Sequence, residues 1–464
     1  MTFAARRLAR FLMLALALAF AAAQPVAAQS VLRDSETELL FRDLSRPLIQ
    51  AAGLDPANVK VVLIQDPEIN AFVATGQVVY IHTGLITATD NANQLQAVIA
   101  HELGHVAGGH AIRIYEGQGA ATKISVLSLV LAAAAAAAGA GDAAMGVLAL
   151  GQQAAMGNFL SFTRAQESSA DLAGATYLSK AGISGQGSLD FFKKLGNQEF
   201  RLAIPQQDSY GRTHPLSGER IASLSQIYKA DPAWTRKTDP AVEARFQRVK
   251  AKLLGFIDPR RATSVYPEND QSVPAHYARA YAYHRSAYPE KAAAETAALL
   301  KANPDDPFFL ELKGQVLLEG GRPAEAIAPL RQAVARAPDQ PMIAVMLGHA
   351  LIATEDQSKF AEAKQVLKNA VNRDNDNPFA WYQLGIVYDR EGDRARANLA
   401  TAERQNLEGQ TKLALAAARS ALMGLKPGTA DYLRAQDIAM VSEAELKKDK
   451  KGGIKVEPRE PQPR

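Results

Sequence analysis

His101-Glu102-Leu103-Gly104-His105 carries the strongest chemistry in this 464-residue chain. It reads His-Glu-x-x-His, inside a run from Gln94 to Tyr115 that patterns as a helix. Residues four apart share a helix face, so two imidazoles at this spacing can grip one metal ion. Glu102 follows the first histidine directly, where it can reach a water at the metal and act as general base. Leu95, Val98, Ile99, Leu103 and Val106 form an apolar stripe, which predicts a largely buried helix. Buried charge beside paired histidines points to metal rather than to a solvated face.

Two histidines leave a catalytic zinc site one protein ligand short. His110 is a first candidate. The metzincin pattern His-Glu-x-x-His-x-x-Gly-x-x-His finds Gly108 in place, but its last histidine would fall on Ala111. His110 therefore reads as a polar residue near the end of the helix. Sixty residues on, Arg164-Ala-Gln-Glu-Ser-Ser-Ala-Asp-Leu-Ala-Gly puts Glu167 and Asp171 on one face of a second, mostly apolar helix. One carboxylate can bind zinc, and the other can accept the free ring N–H of a ligand histidine.

The elements around these residues divide the chain. Arg6, Arg7 and Arg10 precede an apolar run from Phe11 to Ala23, and Val26-Ala27-Ala28 supplies small residues for cleavage. Residues 1–28 read as a signal peptide, which places the mature chain, from Gln29, in an exported compartment, a bacterial periplasm by the style of the signal. The chain has no cysteine, so neither disulfides nor a lipid-modified N-terminal thiol are available. The net charge of +4 misleads, because the signal contributes +3 and the tail from Lys447 onward +4, leaving −3 on the body. That body has no electrostatic footprint for nucleic acid. The charged segment 441–464 reads as disordered.

Residues 29–255 hold the chemistry. Asn58–Gln65 and Gln77–His82 read as strands of a small sheet. An extended substrate could add beside Gln77–His82 through main-chain hydrogen bonds. Ile124–Ala140 is almost wholly apolar, with seven consecutive alanines from Ala132, and Ala143–Leu150 resumes after Asp142. If Glu167 joins His101 and His105, both flanks of this stretch lie on one side of any membrane. Two full spans need about 40 residues, more than the stretch offers. A buried helical hairpin is the simpler expectation, with peripheral membrane contact through 124–150 as the rival.

Residues 256–272 read as a linker. Beyond it, Pro304 and Pro338 stand 34 apart, as do Gly314 and Gly348, and Asn303-Pro-Asp-Asp-Pro returns as Ala337-Pro-Asp-Gln-Pro and Asn375-Asp-Asn-Pro. Leu310, Gly314, Ala326, Leu330, Ala333 and Pro338 hold tetratricopeptide spacing, which predicts about four helical-pair repeats within 273–440, with one unit stretched by about three residues near Asp356–Lys359. The fold class is therefore mainly α: an α+β domain with a small sheet, followed by an α-solenoid.

Several stretches together resemble the zinc metallopeptidase family that includes HtpX and the CAAX prenyl proteases, and within it the periplasmic BepA-type members. They are Asn70-Ala-Phe with Val78-Val-Tyr-Ile-His-Thr-Gly-Leu, His101-Glu-Leu-Gly-His, Glu167-Ser-Ser-Ala-Asp171, and Thr213-His214-Pro215 with Arg220-Ile221. The resemblance implies one zinc held by His101, His105 and Glu167, with Glu102 as base. It implies Asp171 as a support for the ligands or as proton donor, and His214 as a movable residue that approaches the metal. It further implies an endopeptidase acting on misfolded or stalled envelope proteins, with repeats that meet the barrel-assembly machinery of the outer membrane. The rival from another class is a chaperone or assembly adaptor whose protease site is latched or vestigial.

Overall fold

The computed structural model describes residues 30–74, 76–137, 141–202, 213–215 and 217–452, so the expected signal peptide lies outside the described residues. The N-terminal part runs β1 (Ser30–Val31), α1 (Ser35–Ala51), β2 (Lys60–Gln65), β3 (Ala71–Val73), β4 (Val78–His82), α2 (Thr83–Ala88) and α3 (Ala92–Ala107). It continues with α4 (His110–Ala137), α5 (Gly141–Ala181), α6 (Gln186–Leu202), α7 (Gly218–Ala230) and α8 (Pro240–Ile257). Side-chain caps set the helix starts. Asp34 accepts from the Thr37 amide at 2.8 Å to begin α1, and Asn91 accepts from the Gln94 amide at 2.9 Å to begin α3.

The sheet has the order β1-β2-β4-β3, with β2 and β4 parallel and both outer pairs antiparallel. β4 is thus an interior strand. A substrate cannot add beside Gln77–His82, because β2 and β3 already occupy both sides; β3 is the edge. The short β1 and β3 carry too few residues for an alternating pattern to show in sequence. One face of the sheet packs against α1 and α3 through Leu44, Leu48, Leu63, Ile81, Leu95 and Ile99, all nearly or fully buried. Burying such a side chain contributes about 1.5–3 kcal/mol.

Two expectations about the helices need correction. The run from Gln94 is not one helix to Tyr115. It stops at Ala107, turns through Gly108 and Gly109, and restarts at His110. Gly109 sits at φ +63°, a conformation that favours glycine. The apolar stretch 124–150 does form a hairpin, α4 with α5, but not a buried one. Leu127, Leu129 and Val130 are each 59% exposed. Apolar composition predicts burial but cannot name what covers the residues.

The C-terminal part is helical among its described residues: α9 (Pro259–Val265), α10 (Val273–Arg285), α11 (Pro289–Ala302), α12 (Pro307–Glu319), α13 (Pro323–Arg336), α14 (Pro341–Ala353), α15 (Phe360–Arg373), α16 (Pro378–Arg390), α17 (Arg394–Leu407), α18 (Thr411–Leu422) and α19 (Ala430–Gly452). Successive helices pack as pairs. The first helices of four pairs start 34, 34 and 37 residues apart, and a 3-10 turn at Gln357–Lys359 absorbs the extra three. Residues 256–272 are more than a connector, since α9 packs Ala262 against Leu254 and Ala278. The expected disordered tail is helical as far as Gly452. Residues 453–464 lie outside the described residues.

Buried charge joins the two parts. Lys252 of α8 is 3% exposed and meets Asp34 at 2.6 Å and Glu36 at 3.4 Å. Glu36 also takes Arg248 at 2.5 Å and the Tyr277 hydroxyl of α10 at 2.8 Å, and Arg248 reaches Asp306 at 2.7 Å. Farther along the solenoid, Arg33 pairs with Asp374 at 3.0 Å and Lys60 with Asp376 at 3.1 Å. Between these attachments lies a cleft of 1430 Å³, walled by Val61, Val78 and Tyr80 on one side and by Met342, Met346 and Phe379 on the other.

Glu311 of α12 is buried beside the Lys252 cluster, its Oε1 3.5 Å from the Ser35 hydroxyl. Burial, only partly opposed by Lys252, pushes its carboxyl up to about 8, and Asp34 and Glu36 add to the rise. A folded-state pKa above the ordinary value of 4.5 contributes stability that is full below that value and is lost as pH rises through about 8. The melting temperature should therefore fall between about pH 4.5 and about pH 8, and Glu311→Gln should flatten that fall. Thermal unfolding across the range checks this; a variant that declines as steeply as the parent removes Glu311 as the cause.

Candidate metal centre

Two helices must approach closely for the candidate ligands to meet. A Cβ on Gly104 of α3 would come within 2.7 Å of the Ala170 carbonyl oxygen on α5. One on Gly174 of α5 would lie 3.1 Å from the His101 amide. Glycine at both positions lets the backbones touch, which turns the His101/His105 face toward the Glu167/Asp171 face.

The converging atoms form a shell. His101 Nε2 lies 3.1 Å from His105 Nε2 and 3.5 Å from Glu167 Oε2. His105 Nε2 lies 3.4 Å from Glu167 Oε1. His214 Nδ1, from the segment before α7, lies 3.3 Å from His101 Nε2 and 3.2 Å from Glu167. All four side chains are buried. A tetrahedral ion with bonds of about 2.0–2.1 Å sets neighbouring donor atoms about 3.3–3.4 Å apart. The observed edges of 3.1 to 3.5 Å fit that size.

The outer nitrogens fit as well. Asp171 Oδ1 stands 3.0 Å from His101 Nδ1, and His110 Nδ1 stands 2.8 Å from His105 Nδ1. His214 Nε2 faces the Ala71 carbonyl of β3 at 3.3 Å and Glu102 Oε1 at 3.5 Å. Each imidazole therefore has an acceptor for one N–H while its other nitrogen faces the shell, the arrangement that fixes the tautomer of a metal-binding histidine. His110 is thus not in the shell but behind it. Burial and neighbouring His105 push its pKa down to about 4, which keeps it a neutral acceptor.

Glu102 is fully buried beside the shell, and neither of its carboxylate oxygens has a hydrogen-bond partner among the described residues. A carboxylate so placed is suited to receive a proton. Burial raises the Glu167 and Asp171 carboxyls, but partners outweigh it and hold both below the usual carboxylate range. For Glu167 these are His101, His105 and His214; for Asp171 they are His101 and Arg220.

Arg220 shows in the sequence only as part of a motif, beside Thr213-His214-Pro215. It grips Asp171 with two bonds of 2.7 and 2.9 Å, reaches Glu167 at 3.2 Å, and donates to the Pro215 carbonyl at 2.6 Å. One guanidinium therefore joins the shell, its support and the segment that carries His214. Nothing local to Arg220 announces this, because its partner Asp171 is 49 residues away.

Comparison with known proteins gives matches in both parts. Residues 9–228 match peptidase family M48. Over 384 residues the chain is 27% identical to the beta-barrel assembly-enhancing protease of Yersinia pestis, covering 80% of this chain and 76% of that one. It is 32% identical over 182 residues to metalloprotease LoiP of Escherichia coli K12, covering 38% of this chain and 64% of LoiP. Among solved structures, the tetratricopeptide protein YrrB is similar to 38% of this chain and 92% of its own, at 21% identity and a TM-score of 0.31.

If Glu167 is a ligand, Glu167→Gln should cut metal content well below one ion per chain, since a neutral amide is a poor donor. Elemental analysis of the purified variant checks this, and full metal retention would remove Glu167 from the shell.

Proposed function

We propose that this metalloendopeptidase, whose N-terminal part is an M48 peptidase domain, is an exported zinc enzyme of outer-membrane protein quality control. The observation that carries the reading is the shell of His101, His105, Glu167 and His214 with an unbonded Glu102 beside it. The beta-barrel assembly-enhancing relatives support the cellular role, and the sequence of residues 1–28 supports export to the periplasm. Clients are stalled or misfolded envelope proteins, gathered by the solenoid, which also offers a surface to the barrel-assembly machinery.

His101, His105 and Glu167 hold the ion. Bound zinc supplies Lewis-acid chemistry, polarising a scissile carbonyl and lowering the pKa of a water. Glu102 takes the proton of the attacking water and returns it to the leaving amine. Asp171 orients His101, and Arg220 holds Asp171 in place. The β3 edge, rather than β4, is where a substrate main chain pairs.

His214 decides the resting state. Its Nδ1 completes the shell, and its Nε2 covers the Ala71 carbonyl of the β3 edge. That position supports a latch, and it is also the observation that favours the second reading, an adaptor with a silenced site. Glu102→Gln should keep metal and fold but lose about 10² or more in turnover of an unstructured substrate. Proteolysis unchanged in that variant would end the mechanism. His214→Ala should raise basal cleavage of casein several-fold with zinc retained. A fall in cleavage would instead give His214 the task of stabilising the reaction's oxyanion.

A further inference from the structure

The hairpin of α4 and α5 exposes apolar side chains in a pattern that a protein partner does not require. Val126, Leu127, Leu129, Val130 and Leu131 are each 52–59% exposed, while Ser128 between them is 5% exposed and faces α5 at Gly151. Steps of about 100° per residue spread these five over roughly 200° of the helix circumference. Most of the surface that α5 leaves open on this stretch of α4 is therefore apolar. A docking face for one protein is a stripe; an apolar surface this broad on one helix suits a lipid environment. On α5, Met145, Leu150 and Met156 are 59–68% exposed as well, with exposed Gln152, Gln153 and Asn158 beside them for the headgroup side of an oblique hairpin.

Charge follows the same plan. No charged residue occurs between Lys123 and Asp142, or between Asp142 and Arg164. Gly117 packs on Phe162 and Gly151 on Ser128, which fixes the register of the two helices. In that register Arg164 stands level with Tyr115, which is 69% exposed, and Lys123 lies two turns farther out. Tyrosine and basic side chains at the root of an apolar projection match the headgroup layer of a membrane. From Ile124 to Ala137 the apolar part of α4 is about 21 Å long, short of the ~30 Å hydrocarbon core. No described helix is long and apolar enough to cross a membrane.

We propose that this hairpin lies obliquely in one leaflet of a bilayer and holds the metal centre at the lipid surface. The second half follows from the helices themselves. α4 starts at His110, which backs His105, and α5 reaches Glu167 three residues past Arg164, about 5 Å along the helix axis. A hairpin seated in lipid puts the shell beside the headgroups, within reach of chains emerging from the membrane. This inference rests on the hairpin alone and not on catalysis, so its test reads lipid binding.

The chain from Gln29 onward, which lacks the apolar run 11–23, is mixed with vesicles of phosphatidylethanolamine and phosphatidylglycerol and floated on a density gradient. The parent should float with the vesicles, and the combined Leu127→Ser, Val130→Ser and Leu131→Ser variant should lose at least about tenfold in partitioning. Zinc content and circular dichroism report that the variant is folded. Because three substitutions can unfold a hairpin, Leu129→Trp provides a second reading: its fluorescence should be quenched by brominated acyl chains. The proposal is overturned if the parent stays at the bottom of the gradient, if the triple variant floats like the parent, or if the new tryptophan is not quenched. It is equally overturned if the parent sediments without lipid as a dimer that the triple variant abolishes.

Discussion

The contact of two backbones at Gly104 and Gly174 is the constraint on which the rest of the site depends. Without it, the histidine face of α3 and the carboxylate face of α5 would stand a side chain apart. With it, Glu167 is enclosed by three imidazoles and a guanidinium at 3.2 to 3.5 Å. A carboxylate taken out of water is costly unless its charge is met on several sides. Here it is met by groups from α3, α7 and the segment before α7, so the same requirement that neutralises Glu167 also assembles the shell.

Arg220 extends that logic outward. It neutralises Asp171, touches Glu167 and tethers Pro215, so the position of His214 is tied to the charge balance of the ligands. A shift of the His214 segment away from the shell must stretch or rebuild the Pro215 contact while leaving the Asp171 pair intact. One guanidinium thus ties the His214 segment to the carboxylates of α5.

Much of this was legible in the residues themselves. The i, i+4 spacings of His101/His105 and Glu167/Asp171 name the two faces, because helix geometry alone brings such pairs together. The 34-residue spacing of prolines and glycines shows the helical pairs, and the stretched unit shows as an extra turn at Gln357–Lys359. What was hidden depends on distant partners or on very short elements. Arg220 meets a residue 49 positions away, and β1 and β3 are two and three residues long, too short to reveal that β4 is interior. The α4–α5 hairpin misled for another reason. Alanine and leucine report that water is disfavoured, but whether protein or something else replaces the water is a property of the surroundings.

The attachments of the solenoid to the N-terminal part are unequal. Near its base, Lys252, Arg248, Glu36 and Tyr277 are knit in a buried lattice whose removal piece by piece would strand charge. Near its far rim, Lys60 and Asp376 are 64% and 58% exposed, and such pairs contribute no more than about 1 kcal/mol and weaken with salt. The Lys60–Asp376 pair is therefore a weaker tie than the buried lattice. The 1430 Å³ space between sheet and solenoid thus has a floor of buried charge and a rim that includes a pair weakened by salt.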